Sequence, residues 1–490
     1  MQGVMKRFVV PIFVSFAAAL AACSGGGGGG SAPPVVVATA TPTLAPTATP
    51  MPTATPGPSR PANVGDAFAF AGRALTVDQY FYPTPSPLPA TQQAITVAQA
   101  LVVSASPNPF APGAGVDFHT VESDVSALQT QTTTTDTWYG TVASGAATNF
   151  VSYGTKTSDG AVPVADTLST SYTVPHIVDE LPETSGASWS NGAAATIAEL
   201  DADGLNATRT LADDGSYTES DVEPDGGKAT IVQNADGSGF YRVATRFTFS
   251  TYQTYAMSAP SNGTIAITGA LPTPTPKPTT SPTSVPSTSA APTATPTPTA
   301  TPTASPTPTV VATIPVWYPV PLKLYSESDA NRGSVALPAS CGTTYGTTGT
   351  QIAQTIARVD VVLGYTETTT TTTYTVAGYG PVCVTLQDLI TDYYDYSGAE
   401  STAPNGPLLV FGSTPRHTTT LSETLVLQPG ATVLSSARKA QSVPPSSIVR
   451  SPAFAAAQAR FALSTALERR KRARAAATYL RSITAPGVLR

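Results

Sequence analysis

Histidine is nearly missing from this chain: His119, His176 and His417 are the three in 490 residues. Metal centres and acid–base machinery lean on imidazole, so most hypotheses of either kind have little to work with. Charge is scarce too, with Asp, Glu, Lys and Arg making up 11% of the chain. No Gly-x-Ser-x-Gly elbow is present to raise a nucleophilic serine. No stretch is long and apolar enough to cross a membrane as a helix, which takes about 20 residues. What remains is rich in Thr, Ser, Ala and Gly, with 47 prolines. That composition suits an exported β-protein with many turns better than a helical enzyme.

The start of the chain is organised differently from the rest. Lys6 and Arg7 precede an apolar run from Phe8 to Leu20, and Leu20-Ala21-Ala22-Cys23 follows in register. A basic start, a short apolar run and small residues form the layout of a cleavable export signal. The match to Leu20–Cys23 resembles the lipobox of bacterial lipoproteins. That resemblance implies a diacylglycerol on the thiol of Cys23, cleavage before it, and often a further acyl chain on the new N-terminus. One acyl chain holds a protein only marginally, whereas two hold it stably. Ser24 follows the cysteine. In Gram-negative members of the family an Asp there favours the inner membrane, so the resemblance leans toward the outer membrane or cell surface.

Two segments cannot bury enough apolar surface to fold. Gly25–Gly30 and the Pro/Thr/Ala-rich residues after them read as a disordered tether, and about thirty residues at ~3.1 Å each would reach ~90 Å. Residues 272–309 are Pro, Thr, Ser and Ala apart from Lys277 and Val285, and read as a linker. The chain then divides into a signal peptide (1–22), a lipid-anchored tether (23–60), a first β domain (61–271), the linker (272–309), a second β domain (310–448) and a basic tail (449–490). The expected class is mainly β, two antiparallel domains of sandwich or open-barrel type.

In the first domain, Asp66–Gln79 alternates in two phases with a shift near Gly72, a strand with a bulge. Asp203-Gly204, Asp214-Gly215, Asp225-Gly226 and Asp236-Gly237 recur every eleven residues. Asp-Gly is the pair that a type I′ hairpin turn favours, so this stretch predicts a meander of short strands. The competing calcium-loop reading starts at Asp201 and needs an acid at its twelfth position, where Ala212 stands. His119, Glu122 and Asp124 lie close in sequence, but strand alternation points the first away from the other two. His176 follows Pro175 and is expected in a surface loop. Asp179 and Glu180 are adjacent and face opposite ways on a strand. No catalytic residue and no metal set emerges, and no cofactor is implied.

The second domain reads as at least six strands. If lipid takes Cys23, Cys341 and Cys383 remain, and an even pair outside the cytoplasm is most simply a disulfide; two separate thiols are the alternative. Tyr393, Tyr394 and Tyr396 are a candidate platform for a glycan, against the more ordinary role of strand packing. Ser436 and Lys439 satisfy Ser-x-x-Lys without the partner motifs.

Charge is unevenly placed. The net is −6, yet residues 438–490 carry eleven basic side chains and one acid, Glu468. The segment 454–483 is made of good helix formers. Its cluster Arg469, Arg470, Lys471, Arg472 and Arg474 points around the whole circumference of such a helix, so this part is expected in solvent or on an anionic polymer or lipid. The sequence therefore supports an exported, lipid-anchored envelope protein with a non-catalytic binding or structural role. A lipid or lipoprotein carrier in a curved sheet is the alternative, and a glycan-binding or hydrolytic surface protein the third. The membrane, an anionic polymer and an unidentified protein or glycan are the partners implied.

Overall fold

A computed structural model describes residues 64–81, 89–127, 130–144, 147–159, 165–181, 185–224, 226–244, 253–269, 309–376, 379–395, 410–411 and 414–429. The export signal with Cys23, the tether, residues 272–308, Tyr396, Ser436, Lys439 and the basic tail lie outside them.

The strands are β1 (Ala67–Tyr80), β2 (Thr91–Ser104), β3 (Val116–Ser126), β4 (Thr130–Ser144), β5 (Ala147–Ser158), β6 (Thr167–Leu181), β7 (Ser188–Trp189), β8 (Ala195–Leu200), β9 (Asn206–Leu211), β10 (Tyr217–Val222) and β11 (Lys228–Gln233). They continue with β12 (Gly239–Ala244), β13 (Gln253–Met257), β14 (Thr264–Gly269), β15 (Thr309–Pro315), β16 (Tyr325–Ala336), β17 (Thr348–Asp360), β18 (Tyr365–Val376), β19 (Gly380–Asp392), β20 (Tyr394–Asp395), β21 (Val410–Phe411) and β22 (His417–Leu427). Apart from the small β20–β21 pair, they form one antiparallel 20-stranded ladder. The mainly-β, antiparallel expectation holds; what differs is the number of sheets. Strands on both sides of residues 272–309 share one ladder, because β1 pairs with β22 from Phe70↔Leu427 to Tyr80↔His417, and β14 pairs with β15 from Thr264↔Pro315 to Gly269↔Thr309.

The ladder turns back on itself at β7. One side of β7 pairs with β16 at Asp329↔Trp189. On its other side Asn191 acts as a stand-in strand: its Nδ2 donates to the Ile177 carbonyl at 3.0 Å, and its Oδ1 accepts from the Ile177 N–H at 2.7 Å. Trp189 Nε1 donates to the same carbonyl at 3.3 Å. A ring thus runs β1 to β7, then β16 to β19, then β22. From the first half of β6, β8 to β15 continue as a second wing, starting at Thr167↔Leu200.

Along β2 the burial alternates, with Val97, Gln99, Leu101 and Val103 inside. The opposite sides of these strands are mixed: Thr96, Lys156, Arg332, Thr368 and Gln387 are exposed there, and so are Leu75, Val102, Val121, Val125 and Leu389.

The eleven-residue pattern does make hairpins, β8 through β12. Their turns are not type I′. Gly204, Gly215, Gly226 and Gly237 have φ of 80–90°, while Asn262 is the one positive-φ residue other than glycine among the described residues. Each loop is therefore a three-residue connection ending in a glycine bulge. The aspartate is used differently from the expectation: Asp214 Oδ1 accepts from the N–H of Ser216 at 2.9 Å, and Asp236 does the same for Ser238.

The main core lies where the β17–β18 turn enters the second wing. Val361, Val362 and Leu363 are fully buried, against Tyr217, Ile231, Tyr241 and Ile265 of the wing. A turn placed there must find partners for its backbone, since an unpaired buried amide costs ~1–3 kcal/mol. Gln233 supplies two, accepting from Val361 N–H at 2.6 Å and donating to the Val359 carbonyl at 3.1 Å. Tyr394 donates to the Val361 carbonyl at 3.0 Å, and Asp360 accepts from Leu363 N–H at 2.8 Å. A second core joins β1, β2, β19 and β22 around the Cys341–Cys383 disulfide.

Candidate functional site

The residues singled out from sequence are placed apart from one another. Cys341 and Cys383 are bonded, with Cα atoms 5.5 Å apart. Tyr394 is 2% exposed and belongs to the main core, so it offers no surface to a glycan. Tyr393 is half-buried and stacks on Trp317 with centroids 4.5 Å apart, which covers one face. The strand trio behaves as alternation requires. His119 pairs outward with Asp136 at 2.7 Å, while Glu122 points inward and accepts from Gln99. Beside His119, burial and the Asp136 charge push the Asp117 carboxyl up to about 6. His176 is not in a surface loop. It lies on β6 and stacks on Tyr172 with centroids 3.7 Å apart and planes within 17°.

That stack opens a site that no local sequence motif marks. Across from β6, the inward positions of β16, β17, β18 and β19 carry Tyr325 and Glu327, Gln354 and Arg358, Glu367 and Thr369, then Asp388. Register brings them together: Tyr325 faces Arg358, Arg358 faces Glu367, and Thr369 faces Asp388. Glu327 is fully engaged. Its Oε1 accepts from Asn191 Nδ2 at 3.0 Å and from Gln354 Nε2 at 2.9 Å, and its Oε2 accepts from the Tyr325 hydroxyl at 2.5 Å. Thr369 Oγ1 donates to Asp388 Oδ1 at 2.6 Å.

Arg358 is the unusual member. Protein surrounds it deeply, with Tyr172, Tyr325, Tyr365 and Glu367 in its field, yet 46% of its side-chain surface remains accessible. The two facts together define a recess that solvent can enter. Arg358 Nη1 pairs with Glu367 Oε2 at 3.5 Å, and the guanidinium lies 5.8 Å from the Tyr325 ring centre. Burial works against its charge, but Glu367 and the tyrosines outweigh that and hold the proton more firmly. Burial pushes His176 down to about 4, so the ring is neutral. Burial and the Glu367 charge push Asp388 up to about 8, so it keeps its proton near neutrality. Burial likewise holds the Tyr172 hydroxyl protonated, up to about 12. The recess therefore offers a charge-assisted donor, a carboxylate acceptor and flat ring faces, with no activated nucleophile.

A second cluster ties the first strand to the last. His417 Nδ1 meets Asp392 Oδ2 at 3.1 Å and Nε2 meets Asp78 Oδ1 at 3.5 Å. Thr419 Oγ1 donates to Asp78 at 2.7 Å, and the Tyr80 ring stacks on the imidazole at 4.2 Å. Burial opposes the charge on His417, but the hydrogen bonds it donates to both carboxylates raise it to about 9. An imidazolium held this way is a clasp, since a general base must be neutral at working pH. Among the described residues no group of three His, Cys, Asp or Glu side chains is arranged to hold a metal. A shallow hollow of 340 Å³ beside Arg73, Leu75 and Thr96 on the outside of β1 and β2 brings no chemistry together.

No family model and no curated protein matches the chain. Among solved structures, the chain is similar to OccK11 (OpdR) of Pseudomonas aeruginosa, 6% identical, over 76% of this chain and 97% of that one, with a TM-score of 0.19. OccAB4 of Acinetobacter baumannii is 8% identical over 76% and 100%, with a TM-score of 0.17. A BenF-like porin from Pseudomonas fluorescens Pf-5 is 6% identical over the same shares, with a TM-score of 0.15.

Proposed function

We propose that this chain is an exported envelope lipoprotein whose β-structured body works by binding or as a surface element, without catalysis. The observation that carries the reading is Leu20-Ala21-Ala22-Cys23 after a basic, apolar start. The Cys341–Cys383 bond supports it, because disulfides persist in oxidising compartments. A carrier of lipid would need an apolar concavity, whereas the recess beside Arg358 is lined with polar groups and rings. The basic cluster Arg469–Arg474 would add attraction to an anionic polymer or lipid.

The test is fractionation of cells expressing the intact chain and Cys23→Ser. The intact protein should stay with membranes through a high-salt wash and carry acyl chains on Cys23 by mass spectrometry. The variant should be soluble at high salt, because screening removes the contribution of the tail. A mature N-terminus without lipid would remove the anchor from the account.

A further inference from the structure

We propose that the recess beside Arg358 binds a neutral, hydroxyl-rich ligand, a saccharide in chemical class, through Tyr172, His176, Arg358 and Glu367; this rests on the binding role proposed above.

The donor side is unusual for an interior position. A guanidinium has five N–H donors in a fixed fork, and among the described residues the hydrogen bond that Arg358 makes is the one to Glu367, at 3.5 Å. Nearly half of its side-chain surface stays open. A donor set so far from saturated, deep in a protein, is positioned for oxygen atoms that enter the recess. Glu367 supplies acceptors beside it. Sugar hydroxyls both donate and accept, and a paired guanidinium and carboxylate meet both needs at once.

Charge argues against an ionic ligand. Arg358 and Glu367 neutralise one another. Glu327 has its oxygens occupied by Asn191, Gln354 and Tyr325. His176 is neutral and Asp388 protonated near pH 7. A free anion meets the carboxylates of Glu327 and Glu367, and a cation meets Arg358. Ring geometry argues for a ligand with flat C–H faces: Tyr172 and His176 are stacked nearly parallel, and the Tyr325 ring lies beside the guanidinium. Aromatic rings with a polar tip suit a surface that is apolar on its face and wet at its edge. An acyl chain would leave the guanidinium without solvent or partner, a costly outcome.

Saturation-transfer NMR on the full chain in detergent, with cellobiose, maltotriose and chitotriose as neutral probes and digalacturonate and spermidine as ionic ones, tests the proposal. Transfer to at least one neutral saccharide is expected. Arg358→Gln and Tyr172→Phe should each weaken that binding at least tenfold. Tyr172→Phe removes a single hydroxyl, so it should leave the thermal midpoint unchanged and decides the matter if Arg358→Gln fails to fold. Silence from all three neutral probes, equal binding by the folded variants, or a stronger response from either ionic probe would overturn it. The soluble Cys23→Ser protein should give the same result, so failure of the lipid anchor and failure of this site are told apart.

Discussion

At the scale of single residues, Asp388 and His417 both favour the folded state at lower pH, and Asp78 opposes them. Asp388 has its pKa raised to about 8, above the unfolded value of ~3.9. The native state therefore keeps a proton that the unfolded chain releases, and stability falls as pH rises from about 4 to about 8. Asp388→Asn keeps a partner for Thr369 and does not titrate. It should be more stable than the natural protein at pH 8 by on the order of a few kcal/mol, with the gap closing toward pH 4. Denaturant unfolding at the two values measures this, and a gap independent of pH would refute it. His417 shifts in the same sense over a higher range. Its folded pKa is about 9, above the unfolded ~6.5, so its contribution is complete below pH 6.5 and lost as pH rises through 9. Asp78 is lowered by its bond to His417, so the clasp also weakens in acid as Asp78 protonates. His417→Gln should cost about 2 kcal/mol at pH 6 and much less at pH 10. An equal loss at both would mean that packing on Tyr80, and not charge, is what His417 provides.

At the scale of elements, the β17–β18 turn and the glycine-bulge turns explain one another. Gly215 has φ of 86°, and a Cβ there would sit 2.7 Å from the Cβ of Tyr325 and 3.1 Å from the Leu324 carbonyl carbon. The turn can approach β16 that closely only without a side chain. Gly215→Ala is expected to lower stability by ~1–3 kcal/mol, from strain in the left-handed region together with the clash. Calorimetry checks it; an unchanged melting temperature would show that the turn can move away. This part of the fold was legible. Asp-Gly pairs every eleven residues fixed the places of the turns, and strand alternation placed His119 opposite Glu122. The exact turn class was not legible, because the aspartate side chain bonds forward to a serine and leaves the glycine alone in positive φ. In sequence, Val361-Val362-Leu363 simply continues the β-branched run that begins at Ile356. Nothing local says that an apolar tripeptide is a turn when its burial comes from a wing over a hundred residues earlier.

At the scale of the whole molecule, legibility ended where pairing becomes long-range. Thr419 bonds to Asp78 across 341 positions, and no pattern within β1 or β22 encodes that partner. The recess has the same origin. Tyr172, Tyr325, Arg358 and Glu367 come from four strands, and each looks like an ordinary alternating position in its own segment. The parity of cysteines was more informative, since it named Cys341 and Cys383 without any knowledge of the sheet.

The pairing of Gly269 with Thr309 has one more consequence. The ladder holds Gly269 and Thr309 opposite one another, so the covalent excursion between them adds little to what the pairing already holds. Protease nicking within that segment should produce two fragments that migrate apart in denaturing gels yet co-elute in native size exclusion. The nicked protein should also keep the cooperative melting of the intact chain. Early separation of the fragments would mean that the excursion, and not the ladder, keeps the halves in register. If they stay together, long foreign sequences could be spliced into that excursion without disturbing the β body, and each would be displayed as a closed loop tethered at both ends.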